Sequence, residues 1–412
     1  MPGHNIYQLL RYRLHVIPQA ARRHHKALEE IRRKGFADVA LVASSLSMWR
    51  LEGVYRLMEK DSRFRVKVYY LPFREWDNVS IAREEASLRQ HFDESGIVMR
   101  SAGDFLLEHH DIIFYPQCYR HCYSPALSAK SHEDSLLCYS PYGIMFIDER
   151  WQYNSRYQNV AWKLFLQNEY HRRTARRLAF NRGVNVVVAG EADSERFQGG
   201  FKDPWKPQDR PKKRVIWAPH HSFGSSDKLA RNSFLWVESI MRSLAVRYQD
   251  SIQFCLKPHP RLFTELTRLD GWGEEKVREF CEFWGKRPNC QIENGEFIGL
   301  FRASDALIHD CNSFSAEYMY TGRPALFLTR NLERVLRDLN EVGRRAIEAH
   351  YTGGSEKDIC DFLDSVVLGD SAADTKAESR RAFRENYLEP DLNGNFSSRV
   401  VGDIRKSIWG ED

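Results

Sequence analysis

Short apolar runs alternate along the chain with longer stretches in which apolar residues recur every three or four positions. Residues 38–43 (DVALVA) are almost unbroken and stop at Ser44-Ser45, as a buried parallel strand does. Residues 49–60 have helical spacing, with Trp49, Val54, Leu57 and Met58 apolar, and residues 64–71 read as the next strand. Ile97-Val98, residues 111–115 and Ile144-Met145-Phe146 are further strand candidates. Residues 160–181 read as a helix, and residues 184–189 as a strand. Strands alternating with helices predict a parallel α/β sheet.

Residues 197–214 break this rhythm with Gly199-Gly200, Pro204, Pro207 and Pro211, the composition of a linker. A second series follows. Residues 215–218 form a strand that runs into Pro219-His220-His221-Ser222. Residues 234–248 form a helix, residues 252–256 a strand running into Lys257-Pro258-His259-Pro260, and residues 277–285 another helix. In residues 304–328, a strand at 306–308 meets the polar turn Asp310-Cys311-Asn312-Ser313. A helix over 314–320 then stops at Gly322, with Pro324 beyond it, and a last strand spans 325–328. A helix-rich tail begins at Ile359. The expected division is a first domain over 1–200, a linker over 201–214, a second domain over 215–380 and a helical tail over 381–412. Two similar α/β domains with a nucleotide-type site in the second is the layout of a GT-B glycosyltransferase, two Rossmann-type domains facing each other across a cleft. In such sheets ligands bind outside the carboxyl ends of the strands.

Composition narrows the class. The chain has 412 residues, 42% hydrophobic and 28% charged, an ordinary globular balance. A net charge of +5 gives no whole-chain field for nucleic acid, and no nucleic-acid partner is expected. The positive charge is concentrated at the start: Arg11, Arg13, Arg22, Arg23, Lys26, Arg32, Arg33 and Lys34 stand against Glu29 and Glu30. With Ile6, Leu9, Leu10, Leu14 and Val16 among them, this segment suits peripheral contact with an anionic membrane. No window has the ~18 apolar residues of a transmembrane helix, and no signal-peptide pattern is present. The scattered cysteines suit a reducing cytoplasm.

Four clusters can carry chemistry. Pro219, His220, His221 and Ser222 follow a strand directly, and two adjacent histidines there suit a phosphate donor and a general base. Lys257 and His259 are held stiffly by Pro258 and Pro260, as a leaving pyrophosphate requires. Asp310, Asn312, Ser313 and Ser315 surround a helix mouth, where free N–H groups attract anions. Glu317 lies one step further on, where a carboxylate can accept from ribose hydroxyls. In the first half, Gln117, Tyr119, Arg120 and Tyr142 can shape an acceptor pocket. No spacing argues for a bound metal or a cofactor.

Together these segments resemble the CDP-glycerol glycerophosphotransferase family of teichoic acid and capsule polymer synthesis. The matching stretches are FYPQCYRHCYSP, CYSPYG, RRLAFNRGVNVVVAGEADSERF, VIWAPHHSF, LKPHPRL, LIHDCNSFSAEYMYTGRPALFL and the tail RENYLEPDLNGNFSSRV. The resemblance implies a GT-B fold and transfer of glycerol phosphate, or a similar polyol phosphate, from a CDP-linked donor to a hydroxyl on a lipid-linked or polymer acceptor, with release of CMP. It also implies that His221 (or His220) and His259 are the active-site histidines, and that Asp310, Ser313 and Ser315 form the phosphate-binding turn. The family's wall teichoic acid polymerases carry a WHGTP-like motif in the first domain; this chain has Tyr115-Pro116-Gln117-Cys118-Tyr119 in the comparable region. Two other functions fit the same sequence: a GT-B glycosyltransferase using a nucleotide sugar, and a non-catalytic assembly protein of surface-polymer export.

Overall fold

The structure is a computed structural model and describes residues 6–117, 119, 121–223, 232–295, 297–389 and 395–410. It divides into two compact units: Met1–Ile144, Asp148–Glu195 and Glu389–Asp412 in one, Met145–Ile147 and Arg196–Leu388 in the other.

The first unit is built on seven parallel strands: β1 (Ala37–Ala43), β2 (Phe64–Tyr70), β3 (Met99–Arg100), β4 (Ile112–Tyr115), β5 (Leu136–Tyr139), β6 (Lys163–Leu166) and β7 (Val186–Val188), in the order β3-β2-β1-β4-β5-β6-β7. The second has six, also parallel: β8 (Lys213–Ala218), β9 (Ile252–Leu256), β10 (Cys290–Ile292), β11 (Ala306–His309), β12 (Ala325–Leu328) and β13 (Tyr351–Gly353), in the order β10-β9-β8-β11-β12-β13. Each sheet grows outward in both directions from its first strand. The order in which strands are added therefore reverses between β1 and β4, and again between β8 and β11, and such switch points are where open α/β sheets bind ligands.

The second sheet shows why its strands read as unbroken apolar runs. Val215 and Trp217 enter one core with Phe280 and Trp284, while Ile216 and Ala218 enter another with Phe301 and Tyr318. Side chains alternate in a strand, so a sheet covered on both faces needs apolar residues at every position. Trp217 is fully buried and stacks on Phe234, centroids 5.7 Å apart. The apolar run ends at Ala218, so the residues after it leave the core together at the switch point.

Several expectations need correction. Residues 160–181 are not one helix: a helix over Arg156–Val160 is followed by β6 and then by a helix over Glu169–Leu178. The run Lys163–Leu166 is too short to announce itself, and pairing with β5 and β7 decides it. Ile144-Met145-Phe146 is not a strand; its Met145 and Phe146 carbonyls accept from the Asn340 side chain and backbone instead, at 2.9 and 2.8 Å. The edge strand falls at Met99–Arg100, leaving Val98 exposed.

The segment read as a linker lies on the second unit. Trp205 is buried there, Lys206 N–H donates to Gln291 Oε1 at 2.7 Å, and Gln291 Nε2 donates to the Pro204 carbonyl at 2.9 Å. The tail is not a separate element either. Its last helix, Phe396–Trp409, buries Phe396, Val400, Val401 and Ile404 in the core of the first unit, and Ser397 Oγ donates to Glu195 at 2.7 Å. No helix of the described residues is long and apolar enough to cross a membrane.

Candidate active site

At the switch point of the second sheet, the segments after β8 and β9 are tied to each other through their backbones, and the loop after β11 is tied to them by the Asp310 carboxylate. Lys257 N–H donates to the Trp217 carbonyl at 2.8 Å, and His259 N–H to the Pro219 carbonyl at 3.3 Å. His220 N–H donates to Asp310 Oδ1 at 2.7 Å. These bonds bring three imidazoles together. Ring centroids are 4.3 Å apart for His220 and His221, 5.1 Å for His220 and His259, and 3.9 Å for His221 and His259, the last pair stacked.

Hydrogen bonds sort their roles. The backbone N–H of Arg261 donates to His259 Nδ1 at 3.1 Å. A neutral imidazole that accepts on one nitrogen carries its proton on the other, so His259 is an Nε2–H donor. Burial, followed by the neighbouring His221 and His220, holds its pKa down at about 3. His220 Nδ1 meets the Ser222 hydroxyl at 2.6 Å. Lys257 is 6% exposed, and its charge also acts on His259.

Asp310 is a brace. It is buried, and besides His220 it accepts the Ser233 hydroxyl at 2.7 Å and the Ser233 backbone N–H. Burial raises its pKa to about 6 against the pull of these donors. A buried carboxylate with three donors on it orders the loops; it does not offer positive charge to a phosphate.

The helix after β11 begins at Asn312, directly after Cys311, whose side chain accepts no capping bond from the backbone, and it tightens into a 3₁₀ turn over Tyr318–Thr321. Gly322 ends it in the left-handed region at φ 70°, a conformation that suits glycine. Ser313 is half-buried, its hydroxyl 3.3 Å from Cys311 Sγ. Ser315 is fully buried and turns its hydroxyl toward the Cys311 carbonyl at 3.4 Å. That side chain packs inside the helix, and as the fourth residue of a helix that starts at Asn312 its backbone N–H bonds the Cys311 carbonyl, so the N–H groups open to a ligand belong to the residues before it. Glu317 is 9% exposed, near the end of the helix. Pro219 is buried and Ser222 half-buried.

Two residues with no role in the sequence reading support this turn from behind. His309 donates from Nδ1 to the Cys311 carbonyl at 3.0 Å, and His350 from Nε2 to the Ser315 carbonyl at 2.9 Å. Their rings are 5.4 Å apart, edge to face. The remaining nitrogens, His309 Nε2 and His350 Nδ1, are buried with no hydrogen-bond partner among the described residues. Burial keeps both rings neutral, His309 well below the usual histidine range and His350 at about 4. Ser233, which holds Asp310, is a third residue without a role in the sequence reading. His309 stands in the sequence one place before Asp310, but the other two lie far off and carry no local signal.

The first-half candidates lie in the first unit. Gln117 and Tyr119 follow β4 at that sheet's switch point and line a cavity of about 100 Å³ with Lys130, Glu133 and Arg156. Gln117 Oε1 is buried there with no partner among the described residues. Tyr119 packs edge-on against Trp151 at 4.9 Å. Tyr142 is 42% exposed and does not line this cavity. Arg120 and Cys118 lie outside the described residues, as does the turn at Gly394.

No protein-family model matches the sequence, and no curated protein matches it. Solved structures do match its fold. A putative UDP-N-acetylglucosamine 2-epimerase from Listeria monocytogenes is similar with a TM-score of 0.61 at 15% identity, covering 92% of this chain and 98% of the epimerase. A histidine-to-asparagine variant of the wall teichoic acid polymerase TagF is similar with a TM-score of 0.58 at 14% identity, covering 98% of each chain. The S. aureus MnaA–UDP co-structure gives 0.55 at 13% identity, covering 90% of this chain and 97% of that one. The likeness is one of fold, the two-domain α/β architecture of GT-B type.

Proposed function

We propose that the chain is a transferase of the CDP-glycerol glycerophosphotransferase family. In this reading it moves glycerol phosphate or a similar polyol phosphate from a CDP-linked donor to a hydroxyl of a surface-polymer acceptor. The observation that carries the proposal is the convergence of His220, His221 and His259 beside Lys257 at the switch point of the second sheet. The sequence segments shared with that family and the fold shared with TagF support it.

The acceptor oxygen attacks the β-phosphorus and forms the new P–O bond. The bond from that phosphorus to the bridging oxygen breaks, and CMP leaves with the bridging oxygen. Phosphoryl transfer asks the protein for positioning and charge stabilisation more than for covalent work. His259, as an Nε2–H donor, holds a pyrophosphate oxygen, and Lys257 adds positive charge as the leaving group gains negative charge. His221 takes the acceptor proton. Asn312 and Ser313, in the first turn of the helix, offer further N–H groups to the phosphates, the buried Ser315 holds that turn in place, and Glu317 faces the ribose. Pro219 and Ser222 shape the wall, and His220 orients against Ser222. Asp310 acts through His220. Gln117, Tyr119, Arg120 and Tyr142 serve the acceptor.

Incubation of the chain with CDP-glycerol and a polyol-phosphate acceptor tests the reading: CMP appears in step with acceptor elongation. Release of UDP from a UDP-sugar instead would place the chain with the sugar transferases, a reading favoured by its likeness to proteins of sugar-nucleotide chemistry.

The N-terminal helix, made of the successive segments Ile6–Arg11, Tyr12–Val16 and Ile17–Lys34, is read as a peripheral contact with an anionic membrane. Ile6, Leu10 and Leu14 recur every four residues and are 70%, 49% and 64% exposed, among the basic side chains of the same segment.

A further inference from the structure

We infer that His220, His221 and His259 form a binding site for a divalent transition ion of the zinc type, and that the bound ion blocks the transfer reaction. One ring nitrogen from each histidine lies within 4.8 Å of the others. Among the described residues they are the one group of three or more histidine, cysteine or carboxylate side chains so placed. A tetrahedral zinc with Zn–N bonds of ~2.0–2.1 Å needs its nitrogens about 3.3 Å apart, within reach of small ring rotations.

The donor set selects the metal. Three imidazoles with no carboxylate among them suit zinc, copper or nickel and not magnesium or calcium. Three protein ligands also leave a fourth position open. The frame is prepared, because His220 and His259 sit on loops fixed by backbone bonds to Asp310 and Pro219. His220 Nδ1 accepts the Ser222 backbone N–H at 3.3 Å and lies 2.6 Å from the Ser222 hydroxyl, which can accept a proton from Nδ1 once Nε2 is ligated. The ion displaces two interactions: ligation through Nε2 moves the ring proton to Nδ1, which then no longer accepts from Arg261 N–H in His259 or from Ser222 N–H in His220.

The blocking effect rests on the proposed transfer reaction; the ion site does not. A coordinated nitrogen has its lone pair in the metal bond, so His221 cannot take the acceptor proton. His259, ligated through Nε2, loses the N–H it would give the pyrophosphate.

Cobalt titration of the chelator-treated full chain tests the site. Expected is a visible absorption band of nitrogen-bound, four-coordinate cobalt that saturates at one equivalent and is displaced by zinc but not by magnesium. His220→Gln and His259→Gln each abolish the band, while His25→Gln, a change at an exposed histidine, keeps it. Absence of a stoichiometric band, or a band that survives both site substitutions, overturns the site. X-ray absorption on the zinc-loaded wild-type chain needs no variant and is expected to count three imidazole ligands; fewer overturns the site as well. Zinc bound at the trio with CMP release from CDP-glycerol undiminished overturns the blocking role alone. If no CDP-linked donor is turned over in zinc-free protein, the transferase reading fails and the ion site stands.

Discussion

Asp310 Oδ1 accepts the backbone N–H of His220 at 2.7 Å, joining the ends of β11 and β8 at the point where the strand order of the second sheet reverses. The other carboxylate oxygen holds Ser233, so one buried side chain fixes two loops. Asp310→Ala leaves these donors buried and unpaired. It is expected to destabilise the second unit by about 1–3 kcal/mol in urea denaturation and to weaken CMP binding more than that loss accounts for.

The histidine roles predict separable kinetics. His221→Ala should lower kcat at least about 10²-fold with a small change in donor KM, because a general base acts on the acceptor proton. His259→Ala should raise donor KM and lower kcat, and His259→Gln, which keeps an N–H near the Nε2 position, should recover part of the loss. Steady-state kinetics with CDP-glycerol checks both; unchanged turnover in His221→Ala removes it from the mechanism.

The two imidazoles behind the phosphate turn should tolerate only replacements that keep their donors. Asn places its amide near Nδ1 and Gln places its amide near Nε2. His309→Asn and His350→Gln should therefore retain CMP affinity, while His309→Leu and His350→Leu lose it at least about tenfold, read by calorimetry on folded protein.

His350 also sets a pH dependence. Its pKa is about 4 in the folded chain, against the ordinary value of 6.5. Between these values the unfolded chain binds more protons, so stability rises with pH across that window. The contribution is complete above about pH 6.5 and is lost as pH falls toward 4, at most by about 3 kcal/mol. His350→Gln should flatten this part of the stability profile. Asp310, raised to about 6 by burial, has the opposite slope between its unfolded value of 3.8 and 6, so the comparison must be made against wild type at each pH.

The N-terminal helix gives a fifth prediction. Deleting the whole segment would remove Ile31, a fully buried core residue. Substituting Ile6, Leu10 and Leu14 by Ser leaves the core intact and should reduce binding to anionic vesicles in co-sedimentation. Equal binding by the triple variant would show that these residues do not contact lipid.

Much of the second unit was legible because a sheet covered on both faces demands continuous apolar strands. Runs such as Ile252–Leu256, and the polar residues that break them, mark both the strand and its active end. Short strands such as Lys163–Leu166 and Tyr351–Gly353 were not, since pairing with neighbours defines them. The histidines after β8 and β9 could be picked out as chemistry. Their meeting at 3.9 Å could not, because it depends on the β8–β9 pairing. The burial of Ser315 and the bracing role of Asp310 were likewise hidden, being consequences of packing and not of residue type.

The most direct measurement is a thermal-shift and calorimetry series on the metal-free chain with CMP, CDP-glycerol, CDP-ribitol, UDP-N-acetylglucosamine and GDP-sugars. A ligand that binds only the folded state raises apparent stability, by about 2.7 kcal/mol at a hundred times its Kd. The account predicts stabilisation by CMP and by one CDP-polyol, lost in His259→Ala. Stabilisation by a UDP- or GDP-sugar with none from CMP would contradict it.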